Sequence, residues 1–366
     1  MKYSVFAVTI GAISLGLSLT HCGVNKASEK TVSWKFLSAG AEEKHLTNLR
    51  QLTFGGDNAE AYWSFDSKSI TFQSNNPAWG LECDQIFTAP VASFADSGYK
   101  PTIISTGTGR TTCSYYMPDN KHILFASTHK GNKACPEVPS NAKGYVWPIY
   151  DTYDIFVSDL SGNIVNQLTT DSGYDAEGTV SPDGKSIVFT STRSGDLELW
   201  IMDIDGKNPR QITHDLGYDG GAFFSPDSKK LIFRASRPKT EEEINHYKGL
   251  LAQGLVEPTN MELFTVNVDG SDLKQITNLG KANWAPFYHP AGKKIVFSSN
   301  HASARGYDFQ LYMINEDGTG LEKITTESVF NSFPMFSPDG KYLIFSSNRN
   351  NGGTRATNLF IAEWKD

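Results

Sequence analysis

Hydrophobic positions along most of the chain fall in short runs bounded by Gly, Pro, Asp or Asn, the pattern of β-strands rather than helices. One turn recurs six times, each time followed by an apolar strand. The copies are Ser64-Phe65-Asp66-Ser67-Lys68, Met117-Pro118-Asp119-Asn120-Lys121, Ser181-Pro182-Asp183-Gly184-Lys185, Ser225-Pro226-Asp227-Ser228-Lys229, His289-Pro290-Ala291-Gly292-Lys293 and Ser337-Pro338-Asp339-Gly340-Lys341. The strands carry Phe at one offset: Phe72, Phe125, Phe189, Phe233, Phe297 and Phe345. Upstream of these lie Leu52-Thr53, Ile104-Ser105, Leu168-Thr169, Ile212-Thr213, Ile276-Thr277 and Ile324-Thr325. Downstream come Gln85-Ile86-Phe87, Asp154-Ile155-Phe156, Glu198-Leu199-Trp200, Glu262-Leu263-Phe264, Gln310-Leu311-Tyr312 and Asn358-Leu359-Phe360. Four strands per unit and six units predict an all-β fold, a six-bladed β-propeller with four-stranded blades.

The last unit stops after its third strand, and an orphan strand around Leu52-Thr53 precedes the first. Pairing the two closes the ring and removes both open sheet edges. One propeller domain over residues 49–366 therefore replaces the two domains that a length of 366 first suggests. Before it, Lys2 is followed by an uncharged stretch from Tyr3 to Thr20, which reads as a secretory signal over residues 1–22. Residues 23–48 are polar without sustained pattern and read as a tether.

The repeat resembles the Tol-type (TolB-like, WD-like) β-propeller family across residues 49–366. That resemblance is specific for fold and weakly specific for function, because propellers host many activities. Leu19-Thr20-His21-Cys22-Gly23 resembles a bacterial lipoprotein signal, which implies lipidation of Cys22. Without Asp after the Cys, the implied destination is the outer membrane, facing the periplasm or the surface. His21 departs from the small residue usual there, so an ordinary signal peptide that contains a Cys stands as the second reading.

Composition alters this picture little. A net charge of −7 gives no basic footprint, which excludes a general nucleic-acid binder. Hydrophobic residues at 39%, with 32 Gly and 16 Pro, exclude disordered and collagen-like classes.

Candidate chemistry follows from irregularities in the repeat. The Phe interval is shortest between Phe189 and Phe233, and the extra residues elsewhere fall between the second and third strands of blades two, four and five. Those loops share one face, as a binding rim carried on a rigid scaffold does. The blade-two insertion, Lys130 to Thr152, holds Tyr145 and Trp147, either to stack on a sugar or partner side chain or to pack the loop down. In the blade-four insertion, Pro238 to Asn260, Thr240 and Glu243 form a capping box. Ile244, Tyr247 and Leu251 then share one helix face. The blade-five loop carries Arg305.

By offset, Asp175 and Asp219 share a column with Asn58, Thr111, Asn283 and Asn331. Glu177 shares another with Glu60, Cys113, Gly221, Ala285 and Phe333, and both columns are expected around the channel mouth. Arg193, Arg237 and Arg349 recur four residues after Phe and are expected as blade-to-blade partners of the aspartates. His129 and His301 stand in the same column and are candidates for acid–base work. Glu60 and Glu177 would be the carboxylate pair of glycoside chemistry. Cys83, Cys113 and Cys135 are disulfide candidates of undecided connectivity.

No paired Cys or His spacing calls for a metal, and no phosphate loop or nucleophile elbow is present, so neither metal nor cofactor is expected. The leading expectation is a non-catalytic, monomeric, envelope-anchored propeller that binds a protein or glycan through the elaborated face. The membrane is met only through the lipid. The alternative is a hydrolase or lyase acting on an oligosaccharide or peptide at the channel mouth.

Overall fold

The structure, a computed structural model, describes residues 34–366 apart from Ser97 and residues 141–143. The expected signal segment and Cys22 lie outside the described residues. Six antiparallel sheets follow one another around a ring, as the repeat predicts. Their innermost strands are Asp57–Trp63, Thr111–Tyr116, Asp175–Val180, Asp219–Phe224, Asn283–Tyr288 and Asn331–Phe336.

Each conserved-looking position of the repeat has a physical task. The six strand Phe residues are fully buried and stand opposite the aromatic of the third strand, Phe72 against Phe87 through Phe345 against Phe360. The Leu/Ile-Thr pairs work through the hydroxyl. Thr53, Ser105, Thr169, Thr213, Thr277 and Thr325 each accept the N–H of the third strand's Leu or Ile at 2.8 to 3.0 Å. Each also donates to the polar residue that begins that strand, for example Thr277 to Glu262 at 2.6 Å. Ser105 performs both tasks because only the hydroxyl is needed. In the turns, Ser Oγ donates to Asp two residues on, at 2.6 Å in Ser337–Asp339. The fourth turn residue sits at positive φ, between 56° and 77°, which explains Gly, Asn or Ser there.

The ring closes where the sequence requires it. Leu46–Gln51 pairs with the last strand, Asn358–Trp364, and the N–H of Leu52 reaches Leu359 at 2.8 Å. The tether boundary expected at residue 48 is corrected, because the chain is already docked from Trp34 onward. Phe36–Leu37 adds a fifth strand to blade six. Glu43 is buried against Arg349 at 2.9 Å and accepts the N–H groups of Thr326 and Glu327. Local polarity conceals this docking, because the ion-pair partner lies at the far end of the chain.

Candidate functional site

The column expected at the channel mouth is a ring of β-bulges. Glu60, Cys113, Glu177, Gly221, Ala285 and Phe333 all have φ between 46° and 58°, each at a break in register with the second strand. A bulge places an extra residue that cannot join the ladder and re-aims its side chain. Here all six line one cavity of about 400 Å³. Left-handed backbone at five non-glycine positions is strained, and such strain gathers where a site requires it.

Two of these residues differ sharply in environment. Glu177 is bound on every side: Arg234 Nη2 and the Tyr218 hydroxyl (2.9 Å) reach Oε1, while Thr190 Oγ1 and the Gly221 N–H, both at 2.8 Å, reach Oε2. Burial opposes its charge, but the Arg234 guanidinium and these donors hold its carboxyl below the usual range. Gly220 and Gly221 make room for this arrangement. A Cβ at Gly220 would collide with Glu177 Oε2, and one at Gly221 would collide with Arg234 Nη1. The sequence reading missed Arg234. Its signal was present, since the residue after Phe is Gln, Ala, Thr or Ser in the other five blades.

Glu60 has no such support. The nearby Cys113 thiol favours its charge only weakly, and its solvent-shielded Oε2 has no partner among the described residues. Burial first, helped by the Glu177 charge, pushes it up to about 7. Burial likewise pushes the Cys113 thiol up.

The blade-two insertion walls the cavity, and the blade-four insertion braces it from behind. Trp147–Pro148 pairs with Leu255–Val256 in a small antiparallel sheet, and the Ile149 N–H reaches the Gly254 carbonyl at 2.7 Å. Cys83 and Cys135 form a disulfide that pins the other end of the blade-two loop, leaving Cys113 free. Of the three candidate cysteines, Cys113 is thus the one outside the bond. The helix Glu241–Leu251 starts at its capping box and buries Tyr247 and Leu250, with Leu251 packed beside them. The Tyr247 hydroxyl donates to Asp196. Trp147 packs 5.2 Å from Trp284, which itself stacks on Phe309. Tyr145 remains exposed at the cavity edge and accepts a hydrogen bond from Trp147 Nε1 at 3.1 Å.

Other expected site residues are placed elsewhere. Asp175 is held by Arg193 at 2.7 Å and Asp219 by both Nη atoms of Arg237. These pairs form within one blade, not between blades as expected, and they do not line the cavity. Arg349 keeps the pattern in reaching Asn331 and departs from it in also binding Glu43. His129 and His301 are turned to Ser127 and Ser299, each at 2.8 Å, and pack on Phe156 and Tyr312. They substitute for Arg in that bond, since Arg193 Nε reaches Ser191 at 2.9 Å, and they stay outside the cavity. Arg305 is exposed and engaged by Asp308 at 2.6 Å. Among the described residues no group of three or more His, Cys, Asp or Glu could hold a metal ion. No helix among them is long and apolar enough to cross a membrane.

Comparisons with known proteins agree with the repeat. The family described as the TolB beta propeller domain matches residues 149–244, from the blade-two insertion into the blade-four insertion. Among solved structures, the putative TolB from Agrobacterium tumefaciens is 20% identical with a TM-score of 0.56, covering 85% of this chain and 91% of that one. TolB from Acinetobacter baumannii is 20% identical with a TM-score of 0.55, covering 81% and 64%. An oligogalacturonate lyase from Vibrio parahaemolyticus is 11% identical with a TM-score of 0.55, covering 90% and 97%. These likenesses are of fold alone. A search of curated proteins finds no match to the chain. The chain is a six-bladed β-propeller that matches the TolB beta propeller domain through its middle blades and is similar in fold to TolB proteins.

Proposed function

We propose that this protein is an exported, lipid-anchored propeller of the cell envelope that binds an oligosaccharide, without cleaving it, in the cavity at the channel mouth. The lining of that cavity carries the reading. Aromatic side chains of Tyr145, Trp147 and Trp284 share that lining with the carboxyl of Glu60 and with Tyr153 and Tyr174. A sugar ring needs both kinds of surface, an apolar face for its C–H groups and polar atoms for its hydroxyls. Absence of turnover is supported by the pairing of Asp175 and Asp219 and by the engagement of both histidines outside the cavity. Export is supported by the signal-like residues 1–22 and by the Cys83–Cys135 bond, since disulfides persist in oxidising compartments.

The test is titration with a panel of envelope-type oligosaccharides, followed by tryptophan fluorescence, on wild type and Trp147→Ala. A hit weakened by about tenfold or more in the variant is expected, as loss of an aromatic platform implies. A folded variant that binds like wild type would remove Trp147 from the site. Mass spectrometry of the mature N-terminus decides whether Cys22 is acylated.

A second reading, hydrolase or lyase, has one observation in its favour. Glu60 and Glu177 have environments that push their carboxyls in opposite directions, the relation between a general acid and its ionised partner. New reducing ends or unsaturated products that vanish with Glu60→Gln would establish it.

A further inference from the structure

Charge is distributed unevenly around this cavity. Its two cationic side chains are both engaged, Arg110 by Asp84 and Arg234 by Glu177, and no lysine lines it. Glu177 is fully satisfied by its donors, whereas Glu60 lines the cavity and keeps one solvent-shielded oxygen with no partner among the described residues. The groups facing Glu60 come from four blades: Tyr62 on its own strand with Asp84 beyond it, Cys113, Glu177 and Arg234. Two of the three charges among them are negative. A uronic-acid carboxylate placed here would add a further negative charge and find no free cation. A protonated amine would supply the missing donor through a charge-assisted hydrogen bond once the Glu60 carboxyl turns toward the cavity, with the Tyr145 ring in the same lining to favour a cation, while the Trp147 ring already carries Arg234 at 5.3 Å.

We infer that the cavity floor takes a protonated amine, so that the oligosaccharide bound is built from amino sugars, with the amine on Glu60 and a ring against Trp147. This rests on the oligosaccharide reading, and it separates this site chemically from one made for galacturonate. Burial of Glu60 leaves it partly protonated near neutrality, and an approaching ammonium favours its ionised form.

The experiment is calorimetry on the purified protein with short oligomers of glucosamine, N-acetylglucosamine and galacturonate, just below neutral pH. The glucosamine oligomer is expected to bind at least about tenfold tighter than its acetylated counterpart, with that ratio falling toward one in Glu60→Gln. Equal or tighter binding of the acetylated or galacturonate oligomer overturns the amine and leaves the oligosaccharide reading standing. If no oligomer binds the folded protein, the oligosaccharide reading fails. Butylamine followed by tryptophan fluorescence then decides the floor alone. A saturable change in wild type that is absent from Glu60→Gln retains the amine site, and no change overturns it.

Discussion

A buried carboxyl with a free oxygen is a cost the fold carries at residue 60. Its carboxyl is raised from 4.5 to about 7, so Glu60 burdens stability least below pH 4.5, and stability falls as pH rises through 7. That range corresponds to about 3 kcal/mol. Glu60→Gln should therefore match wild type in mild acid and exceed it by up to that amount above pH 8, measured by urea unfolding across pH. Parallel curves for the two proteins would mean that Glu60 is stabilised by something unrecognised. Arg234→Met should have the opposite effect at all pH values above the carboxylate range. It leaves Glu177 buried without its cation, a loss of roughly 3–5 kcal/mol in the same measurement. The bulge column was legible in the sequence because the Phe offset fixes it. The identity of each partner was not, because Arg234 reaches Glu177 across a blade boundary that no local pattern records. His129 and His301 misled for a related reason. A residue that departs from a repeat looks functional, yet here imidazole keeps the serine bond that Arg makes elsewhere.

Elements added to the repeat tell the same story at larger scale. The capping box at Thr240 and Glu243 announced the helix, since its signal is local. The pairing of Trp147–Pro148 with Leu255–Val256 was not announced, because two residues are too few for a period and the partners belong to separate blades. The disulfide spans 52 residues, and closing a loop of that length restricts the unfolded chain by about 4 kcal/mol. Cys83→Ser with Cys135→Ser should lower unfolding free energy by up to that amount and raise hydrogen exchange in residues 130–152. Unchanged exchange there would show that the small sheet alone holds the wall. At the other end, Glu43→Ala leaves Arg349 unpaired in a buried setting and should cost roughly 3–5 kcal/mol. Exchange at Phe36–Leu37 reports whether that strand detaches first.

For the molecule as a whole, closure by Leu46–Gln51 ties the beginning of the ring to its end, so no blade presents an open edge at the junction. A chain shortened to begin after Gln51 should lose cooperative unfolding or associate through the exposed Asn358–Trp364 edge, as sedimentation would show. Retention of a cooperative monomer would place the stability of the ring in the six sheets alone. The fold was the most legible property of the sequence, because six repetitions of one hydroxyl clasp and one aromatic pair leave little else for the chain to form. The same repetition has a further consequence at the bulges. One backbone bend is made six times, yet it presents Glu, Cys, Glu, Gly, Ala and Phe in turn. A ligand in this ring therefore meets no rotational ambiguity: its orientation is dictated by side-chain order around a backbone of nearly uniform shape. Four of the six are also separate dials, since Glu177 and Gly221 are locked together with Arg234. Specificity can be retuned one spoke at a time while the clasps that hold the wheel together stay untouched.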